Sequence, residues 1–193
     1  MPNDPDNILF RDKYHIPSAR LPSWDYSSAG FYFVTICIKD RKEYFGDINK
    51  GEMMLNNLGI IAKKYWQAIS EHFAHVALDE YIIMPNHVHG IIKICRDEAM
   101  PRLYKDIPYL GPHPQMSKIS PKQGSLAVII GSYKSVVAKH IHQLQNNKKF
   151  QWQSRYYDQI IWDERSLQNI YEYIRNNPFN WQYDRNNLEG LCM

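Results

Sequence analysis

Residues 76–95, VALDEYIIMPNHVHGIIKIC, contain two apolar runs separated by a Pro-Asn pair. Both runs are rich in isoleucine and valine, which is typical of β-strands. Pro85 and Asn86 are turn-forming residues, so the runs at 76–84 and 87–95 are expected to pair antiparallel as a hairpin. This hairpin is the anchor of the predicted sheet.

Outside the hairpin, the spacing of apolar residues predicts two more strands and three helices. The strands lie at 31–40 and 150–162, and the helices at 57–73, 125–145 and 163–177, the last stopped by Pro178. The order is β-α-β-β-α-β-α. It predicts an α+β protein with a ferredoxin-like (RRM-like) four-stranded antiparallel sheet, helices on one face, and a further C-terminal helix.

The chain has 193 residues, of which 44% are hydrophobic and 13% aromatic, enough for one sizeable core. We therefore expect a single domain over 1–193, with an N-terminal arm at 1–29 and a long loop at 96–124. Nothing approaches eighteen consecutive apolar residues, and the start of the chain lacks the apolar stretch of a signal peptide. A soluble cytoplasmic protein without membrane contact is expected.

The three cysteines, Cys37, Cys95 and Cys192, show no paired spacing. Two of them fall in or beside strand-like runs, where a reduced and buried thiol is the expected state. Neither a disulfide framework nor a zinc ribbon is indicated.

Positive charge is concentrated in the middle of the chain. Although the net charge is only +3, residues 93–155 contain 11 Lys or Arg against 3 acids, giving +8 for this segment and −5 for the remainder. Such a stretch, interleaved with tyrosine and histidine, fits either a nucleic-acid backbone or a solvated face. Lys134, Lys139, His140 and Arg155 are interpreted as DNA phosphate contacts, or else as ordinary surface residues.

His87 and His89 stand two residues apart on the second strand of the hairpin. Because side chains alternate across a strand, both project from one face while Val88 faces the other way. Such a pair can hold one metal ion, or can simply be hydrogen-bonded within the sheet. Two ligands alone make an incomplete site, so a third must come from elsewhere.

The last predicted helix has an apolar stripe and a second, polar face. Its stripe comprises Leu167, Ile170, Tyr171 and Ile174. Tyr173 lies about 200° around the helix from Tyr171, and Asn177 is one turn beyond Tyr173 on the same face. Tyr173 and Asn177 are therefore either solvent-exposed or directed at a site.

Three segments carry a resemblance to a known family. They are MPNHVHGII at 84–92, WQSRYYDQIIWDE at 152–164 followed by YEYIRNNP at 171–178, and RLPSWDYSSAGFYFVTICIKDRKEYFG at 20–46. The first resembles the HUH motif, in which a bulky apolar residue separates two histidines. Together they resemble the single-tyrosine HUH endonucleases, and among them the REP-associated tyrosine transposases, relatives of single-tyrosine insertion-sequence transposases. The resemblance runs from about Arg20 to Trp181.

This resemblance implies roles for individual residues. His87 and His89 match the metal-binding histidines, Tyr173 matches the nucleophilic tyrosine, and Asn177 matches the polar residue that completes the metal site. The implied cofactor is Mg²⁺ or Mn²⁺; the ligand types by themselves would also admit Zn²⁺.

The implied activity is that of a metal-dependent single-stranded DNA endonuclease and strand transferase. It would cut and rejoin DNA beside REP-like hairpins through a 5′-phosphotyrosine intermediate, as a monomer or homodimer. A tyrosine nucleophile conserves bond energy that a free 3′-hydroxyl can later use, so the implied chemistry is strand transfer rather than hydrolysis.

Alternatives remain open at this point. Tyr133 is a competing nucleophile, although its place in the stripe of Leu126, Ile130 and Val137 indicates packing. A non-catalytic, RRM-like module could bind single-stranded nucleic acid by stacking bases on Tyr32 and Phe33, but the RRM signature run is absent. A third possibility is a resident, host-adapted enzyme that processes hairpins without mobility.

Overall fold

The computed structural model describes residues 24–95, 122–145, 149–184 and 186–187. In chain order the elements are β1 (Gly30–Cys37), β2 (Gly46–Asn49), β3 (Glu52–Leu55), α1 (Asn57–Gln67), α2 (Ile69–His72), β4 (Val76–Ile83), β5 (His87–Ile94), α3 (Leu126–Gln145), β6 (Tyr157–Ile161) and α4 (Glu164–Asn176). Residues 1–23 of the expected arm, residues 96–121 of the expected loop, and Cys192 lie outside the described residues.

The main sheet has four strands in the order β4-β5-β1-β6, and every neighbouring pair is antiparallel. The expected hairpin of β4 and β5 is confirmed, with β1 inserted between β5 and β6. This is the ferredoxin-like order predicted from the sequence. The register sets Thr35 opposite His89 and Cys37 opposite His87, which brings the end of β1 beside both histidines.

The two faces of the sheet carry different partners. Tyr32, Val34 and Ile36 of β1 point toward α1 and α3 and belong to the larger core cluster, with Trp66 and Tyr133. The opposite face is covered by α4, in a smaller cluster that consists of Phe33, Ile91, Ile161, Leu167, Ile170 and Ile174. Because His87 and His89 alternate with Val88 along β5, they project toward the face that α4 covers.

Gly90 allows α1 to pack closely on β5. A Cβ atom at Gly90 would lie 2.2 Å from Cζ2 of Trp66, a side chain that is fully buried. The glycine between His89 and Ile91 is therefore required by packing on the helix side of the strand.

Three boundaries differ from the sequence predictions. The strand predicted at 31–40 ends at Cys37, and a 3-10 turn at Lys39–Arg41 follows. The helix predicted at 57–73 is broken at Ala68 into α1 and α2. The strand predicted at 150–162 begins, as β6, only at Tyr157. Before it, residue 152 makes an isolated bridge to Ile38, and Phe150 is buried in the core.

The β2–β3 hairpin is a two-stranded sheet that was not predicted from the sequence. Its tight turn places Lys50 (φ 50°) and Gly51 (φ 78°) in the left-handed region. With four residues each, these strands are too short to show a clear alternation of polar and apolar residues.

Among the described residues, no helix has the length and apolar character needed to cross a membrane. Cys37 and Cys95 are not joined by a disulfide, and both are partly exposed rather than buried as expected.

Candidate metal and nucleophile site

The His87 and His89 imidazoles face each other between the sheet and the C-terminal segment. Their Nε2 atoms are 2.8 Å apart, and both side chains are buried, at 0% and 1% exposure. The two histidines predicted to share a face of the strand therefore place two ring nitrogens side by side and away from solvent.

Asn86 orients the first imidazole. Its Nδ2 donates to the backbone carbonyls of Arg41 and Asn186, both at 2.8 Å, which turns its Oδ1 toward His87 Nδ1 at 2.8 Å. Since Oδ1 can only accept, Nδ1 of His87 carries the proton. The Nε2 of a neutral His87 therefore presents a lone pair to His89.

Thr35 contacts the second imidazole from the neighbouring strand. Its Oγ1 lies 2.9 Å from Nδ1 of His89, a consequence of the β1–β5 register. Phe33 stacks on the same ring, with centroids 5.5 Å apart. Both imidazoles are thus held at Nδ1, leaving their Nε2 atoms to face each other.

The backbone just after β1 is strained where it meets Asn86. Asp40 and Arg41 are consecutive non-glycine residues with positive φ, 59° and 52°. Such conformations cost about 1–2 kcal/mol each. They coincide with the carbonyl of Arg41 that accepts from Asn86, so the strained turn helps to orient His87.

Tyr173 of α4 is accessible and lies against the histidine pair. Its hydroxyl is 3.2 Å from His89 Nε2, and its ring makes edge contacts with His89 and Phe33. The side chain is 42% exposed. Tyr173 therefore combines a solvent-accessible hydroxyl with a position beside the His89 imidazole.

Asn177 caps the end of α4 and is buried, at 3% exposure. Its Nδ2 donates to Oδ2 of Asp184 at 3.2 Å, while its Oδ1 has no hydrogen-bond partner among the described residues. A buried amide oxygen without a hydrogen-bond partner lowers the stability of the fold unless it binds a water molecule or an ion. The arrangement suits an oxygen ligand.

These residues fit a divalent cation on the evidence of their own geometry. Two nitrogens bound to one ion at about 2.1 Å and at right angles would lie about 3 Å apart, close to the spacing observed here. The lone pair that His87 Nε2 presents can be satisfied by a proton on His89 Nε2 or by a cation bound to both nitrogens. An unpartnered amide oxygen adjacent to the cluster adds a hard ligand.

Asp184 belongs to the same cluster and was not identified from the sequence. Its carboxylate and the imidazole nitrogens of His87 and His89 lie within 4.8 Å of one another. Asp184 follows a 3-10 turn at Trp181–Tyr183, beyond the proline that ends the helical pattern. The irregular backbone there gave no periodicity from which its direction could be predicted.

An open groove of about 720 Å³ runs past Tyr173. Its described lining is mostly aromatic rings and amides: Phe33, Tyr157, Tyr173, Tyr183, Gln159, Asn169, Asn176, Asn177 and Asn180, with Thr35, Ile170, Glu172 and Asp184. The exposed rings of Tyr157, Tyr173 and Tyr183 offer stacking surfaces. The amides offer donors and acceptors, so the lining is chemically suited to bases more than to phosphates.

Two other tyrosines considered from the sequence lie elsewhere. Tyr133 is 2% exposed, its hydroxyl donates to the carbonyl of Ala62, and burial raises its pKa, so the packing interpretation is confirmed. Tyr171 donates to Asp79 Oδ2 at 2.7 Å, and this bond raises the pKa of Tyr171 to about 12. Neither hydroxyl contacts the histidine pair in the described structure.

Three of the four predicted phosphate contacts lie away from the histidines. Lys134, Lys139 and His140 are on α3, on the far face of the sheet. The ammonium of Lys134 donates to the carbonyls of Gln153 and Ser154, and burial lowers the pKa of Lys134. His140 bridges Tyr65 and the carbonyl of Val136. Lys139 and Arg155 are exposed, and their phosphate contacts stay predictions.

The stacking role considered for Tyr32 and Phe33 is wrong. Tyr32 is 0% exposed within the α1 and α3 core, and Phe33 is 6% exposed beneath α4. Both rings are covered by helices, so neither can present a face to a base in the manner of an RRM.

The fold is similar to that of a solved transposase structure. The structure of a REP-associated tyrosine transposase bound to a REP hairpin superposes with a TM-score of 0.51 over 88% of this chain and 77% of that chain, at 13% sequence identity. No protein-family model matches the chain.

A Haemophilus influenzae protein described only as uncharacterized is 38% identical over 173 residues, covering 89% of this chain and 93% of that protein. The chain belongs to the same family as this Haemophilus influenzae protein.

Proposed function

We propose that the chain is a metal-dependent, single-stranded DNA endonuclease and strand transferase of the HUH single-tyrosine class, acting beside DNA hairpins. The observation that carries the proposal is the accessible Tyr173 hydroxyl, 3.2 Å from an imidazole whose Nε2 faces a second imidazole. The likeness in fold to a hairpin-bound transposase supports the same class.

Tyr173 is proposed to attack a DNA phosphorus atom. A bond forms between its Oη and phosphorus, the bond from phosphorus to the 3′-oxygen breaks, and the 5′-phosphate stays on the protein. The tyrosine loses one proton and the departing 3′-oxygen gains one. Attack by a free 3′-hydroxyl on the phosphotyrosine reverses the step and joins strands.

His87, His89 and Asn177 are proposed to hold Mg²⁺ or Mn²⁺. When bound, such an ion would withdraw charge from a phosphate oxygen and orient the phosphate for in-line attack. Asn86 and Thr35 keep both imidazoles in the required orientation, and Phe33 excludes water from one side of His89.

The groove beside Tyr173 is proposed to receive the unpaired strand. Tyr157 and Tyr183 are 39% and 80% exposed and can stack on bases, while the amides along α4 can hydrogen-bond base edges. Exposed Lys139 and Arg155 remain proposed phosphate contacts for a longer, hairpin-containing substrate.

The test is a covalent adduct. The protein is incubated with 5′- and 3′-labelled single-stranded oligonucleotides that contain a hairpin, with Mn²⁺, Mg²⁺ or a chelator, and resolved on denaturing gels. We expect a protein-linked product that carries only the label 3′ to the cut, requires the divalent ion, and disappears in His87→Ala. An adduct that persists in chelator, or no adduct in any metal, would contradict the proposal.

A further inference from the structure

The proposed metal ligands His87, His89 and Asn177 are all neutral groups, and the Asp184 carboxylate lies beside them. Its ligand atom is within 4.8 Å of the ligand nitrogens of His87 and His89. These three side chains form the metal-competent cluster within the described residues, and Asp184 contributes its anionic member.

The turn after α4 holds this carboxylate in place. The amide N–H of Asp184 donates to the carbonyl of Trp181 at 3.0 Å, and Oδ1 of Asp184 accepts from the Asn186 N–H at 2.6 Å. Oδ2 accepts from Asn177 Nδ2. Both oxygens are therefore oriented by neighbouring donors, without which a surface carboxylate would be free to rotate.

The same turn is fastened to the β4–β5 hairpin. The carbonyl of Asn186 accepts from Asn86 Nδ2, the residue that orients His87, and the ring of Trp181 lies 5.9 Å from the His87 ring at a tilt of 31°. Asp184 and His87 are thus positioned by one connected hydrogen-bond network.

The position of the Asp184 carboxylate agrees with the ligand preferences of divalent cations. Two neutral imidazoles and an amide leave the charge of a divalent ion uncompensated, whereas Mg²⁺ and Mn²⁺ prefer hard, anionic oxygen ligands. We propose that Asp184 is an additional, anionic ligand of this metal site. Asn177 then serves twice, offering Oδ1 to the ion and positioning Asp184 through Nδ2. This inference rests on the proposed metal-dependent function.

A substitution at Asp184 separates metal binding from a purely structural role. In Asp184→Asn, the amide oxygen can still accept from the Asn186 N–H, which keeps that contact of the turn. The negative charge is removed, and an NH₂ group replaces the oxygen that accepts from Asn177. Mn²⁺ affinity of the full chain is measured by the decrease of the free-ion EPR signal, and folding by thermal unfolding with and without Mn²⁺. Asp47→Asn, at an exposed acid on β2, is the matched control.

We expect the wild-type chain to bind Mn²⁺, His87→Ala to lose that binding, and Asp184→Asn to weaken it by at least about tenfold. The Mn²⁺-induced rise in unfolding temperature should shrink in parallel, while Asp47→Asn behaves as wild type. Asn177→Ala should weaken binding, since it removes a ligand and the donor that orients Asp184.

Wild-type Mn²⁺ affinity in a folded Asp184→Asn chain would overturn the inference. If that chain also forms the Tyr173 adduct normally, the proposed function survives without Asp184. Absence of Mn²⁺ binding by the wild-type chain overturns the inference as well, and the adduct assay then decides the proposed function separately. Mn²⁺ binding that depends on Asp184, with no covalent adduct under any condition, would support the metal site and contradict the proposed nuclease activity.

Discussion

Tyr173 and Tyr133 are both helical tyrosines, but their hydroxyls meet opposite environments. Tyr173 is 42% exposed beside the His89 imidazole, whereas Tyr133 is 2% exposed and donates to a backbone carbonyl in the core. Burial disfavours the phenolate of Tyr133 and raises its pKa. Of these two, Tyr173 therefore combines access for a phosphate with a neighbour that can favour deprotonation.

Tyr173→Phe removes a hydroxyl from the exposed site, so we expect no covalent DNA adduct while folding and Mn²⁺ binding remain close to wild type. Tyr133→Phe should retain adduct formation and reduce the free energy of unfolding by about 1 kcal/mol at most, since it loses one hydrogen bond. Adduct yield and denaturant unfolding are compared for both variants. An adduct formed by Tyr173→Phe and absent from Tyr133→Phe would reverse the assignment.

Helix α4 is joined to strand β4 by two polar contacts beside its apolar stripe. Tyr171 donates to Asp79, and Arg175 forms an ion pair with Glu80 at 2.8 Å. The helix begins at an Asp163 cap, whose side chain accepts from the Ser166 N–H. These contacts keep the face that bears Tyr173 and Asn177 directed at the histidines.

The Tyr171 contact predicts a specific alkaline sensitivity. The hydrogen bond to Asp79 raises the pKa of Tyr171 from 10.0 to about 12, so the folded state favours the neutral phenol. Its contribution to stability is complete below pH 10 and disappears as pH rises toward 12. We expect Tyr171→Phe to be less stable than wild type near neutral pH and to lose less stability across that alkaline window.

The measurement for Tyr171 is the urea midpoint as a function of pH. Tyr183→Phe is the matched control, because Tyr183 is 80% exposed and should change neither the midpoint nor its pH dependence. Parallel alkaline curves for wild type and Tyr171→Phe would show that the Asp79 contact does not stabilise α4.

Substitution by alanine is predicted to change the free energy of unfolding in opposite directions at Gly90 and Gly131. Gly90→Ala places a methyl group 2.2 Å from Trp66, so we expect the free energy of unfolding to fall by about 1–3 kcal/mol. Gly131→Ala, on α3, meets nothing within 4 Å and should raise it by about 0.5–1 kcal/mol. Denaturant titrations measure both, and a stable Gly90→Ala would contradict the packing account.

The two faces of the sheet differ, because one bears the larger core and the other bears the candidate site. α1 and α3 cover one face with the larger core, while α4, the histidine pair and the groove occupy the other. Lys139 on α3 therefore lies across the sheet from Tyr173. A strand bound at Tyr173 can reach α3 only if the substrate extends around the molecule.

Lys139→Glu should accordingly change the salt dependence of DNA affinity for long substrates but not for short ones. For a hairpin-containing oligonucleotide, we expect the slope of log affinity against log salt to become shallower by about 0.9 for each duplex phosphate that is no longer neutralised. For a short unpaired strand, the slope should stay as in wild type. Lys63→Glu, at an exposed position on α1, is the control. Equal slopes for Lys139→Glu and wild type on both substrates would mean that Lys139 is only a solvated residue.

Much of this architecture could be predicted from the sequence because its signals are local. Alternation along β4 and β5, the Pro-Asn turn, and the period of α4 required only neighbouring residues, and they indicated the sheet, the histidine face and the polar face of α4. Predictions failed where tertiary contacts decide the backbone. The segment from Phe150 enters the core before β6 begins, and the two covered faces of the sheet enclose Tyr32 and Phe33.

Asp184 illustrates the same limit within the candidate site. It follows the helix-ending proline in a segment without periodicity, and its direction depends on Asn177 and Asn186. Asn86 likewise gains its orienting role from the carbonyls of Arg41 and Asn186, which lie 45 and 100 residues away along the chain.

The hydrogen bond between Asn86 and Asn186 joins parts of the chain that are synthesised at different times. His89 precedes Asp184 by 95 residues, which ribosomes add in roughly 5–20 s at about 5–20 residues per second. For most of that interval a nascent chain carries both imidazoles but not yet α4, and until its end it lacks Asp184. The cluster of His87, His89 and Asp184 can therefore be completed only after residue 184 has been added, and the proposed DNA-cutting site would be absent until then.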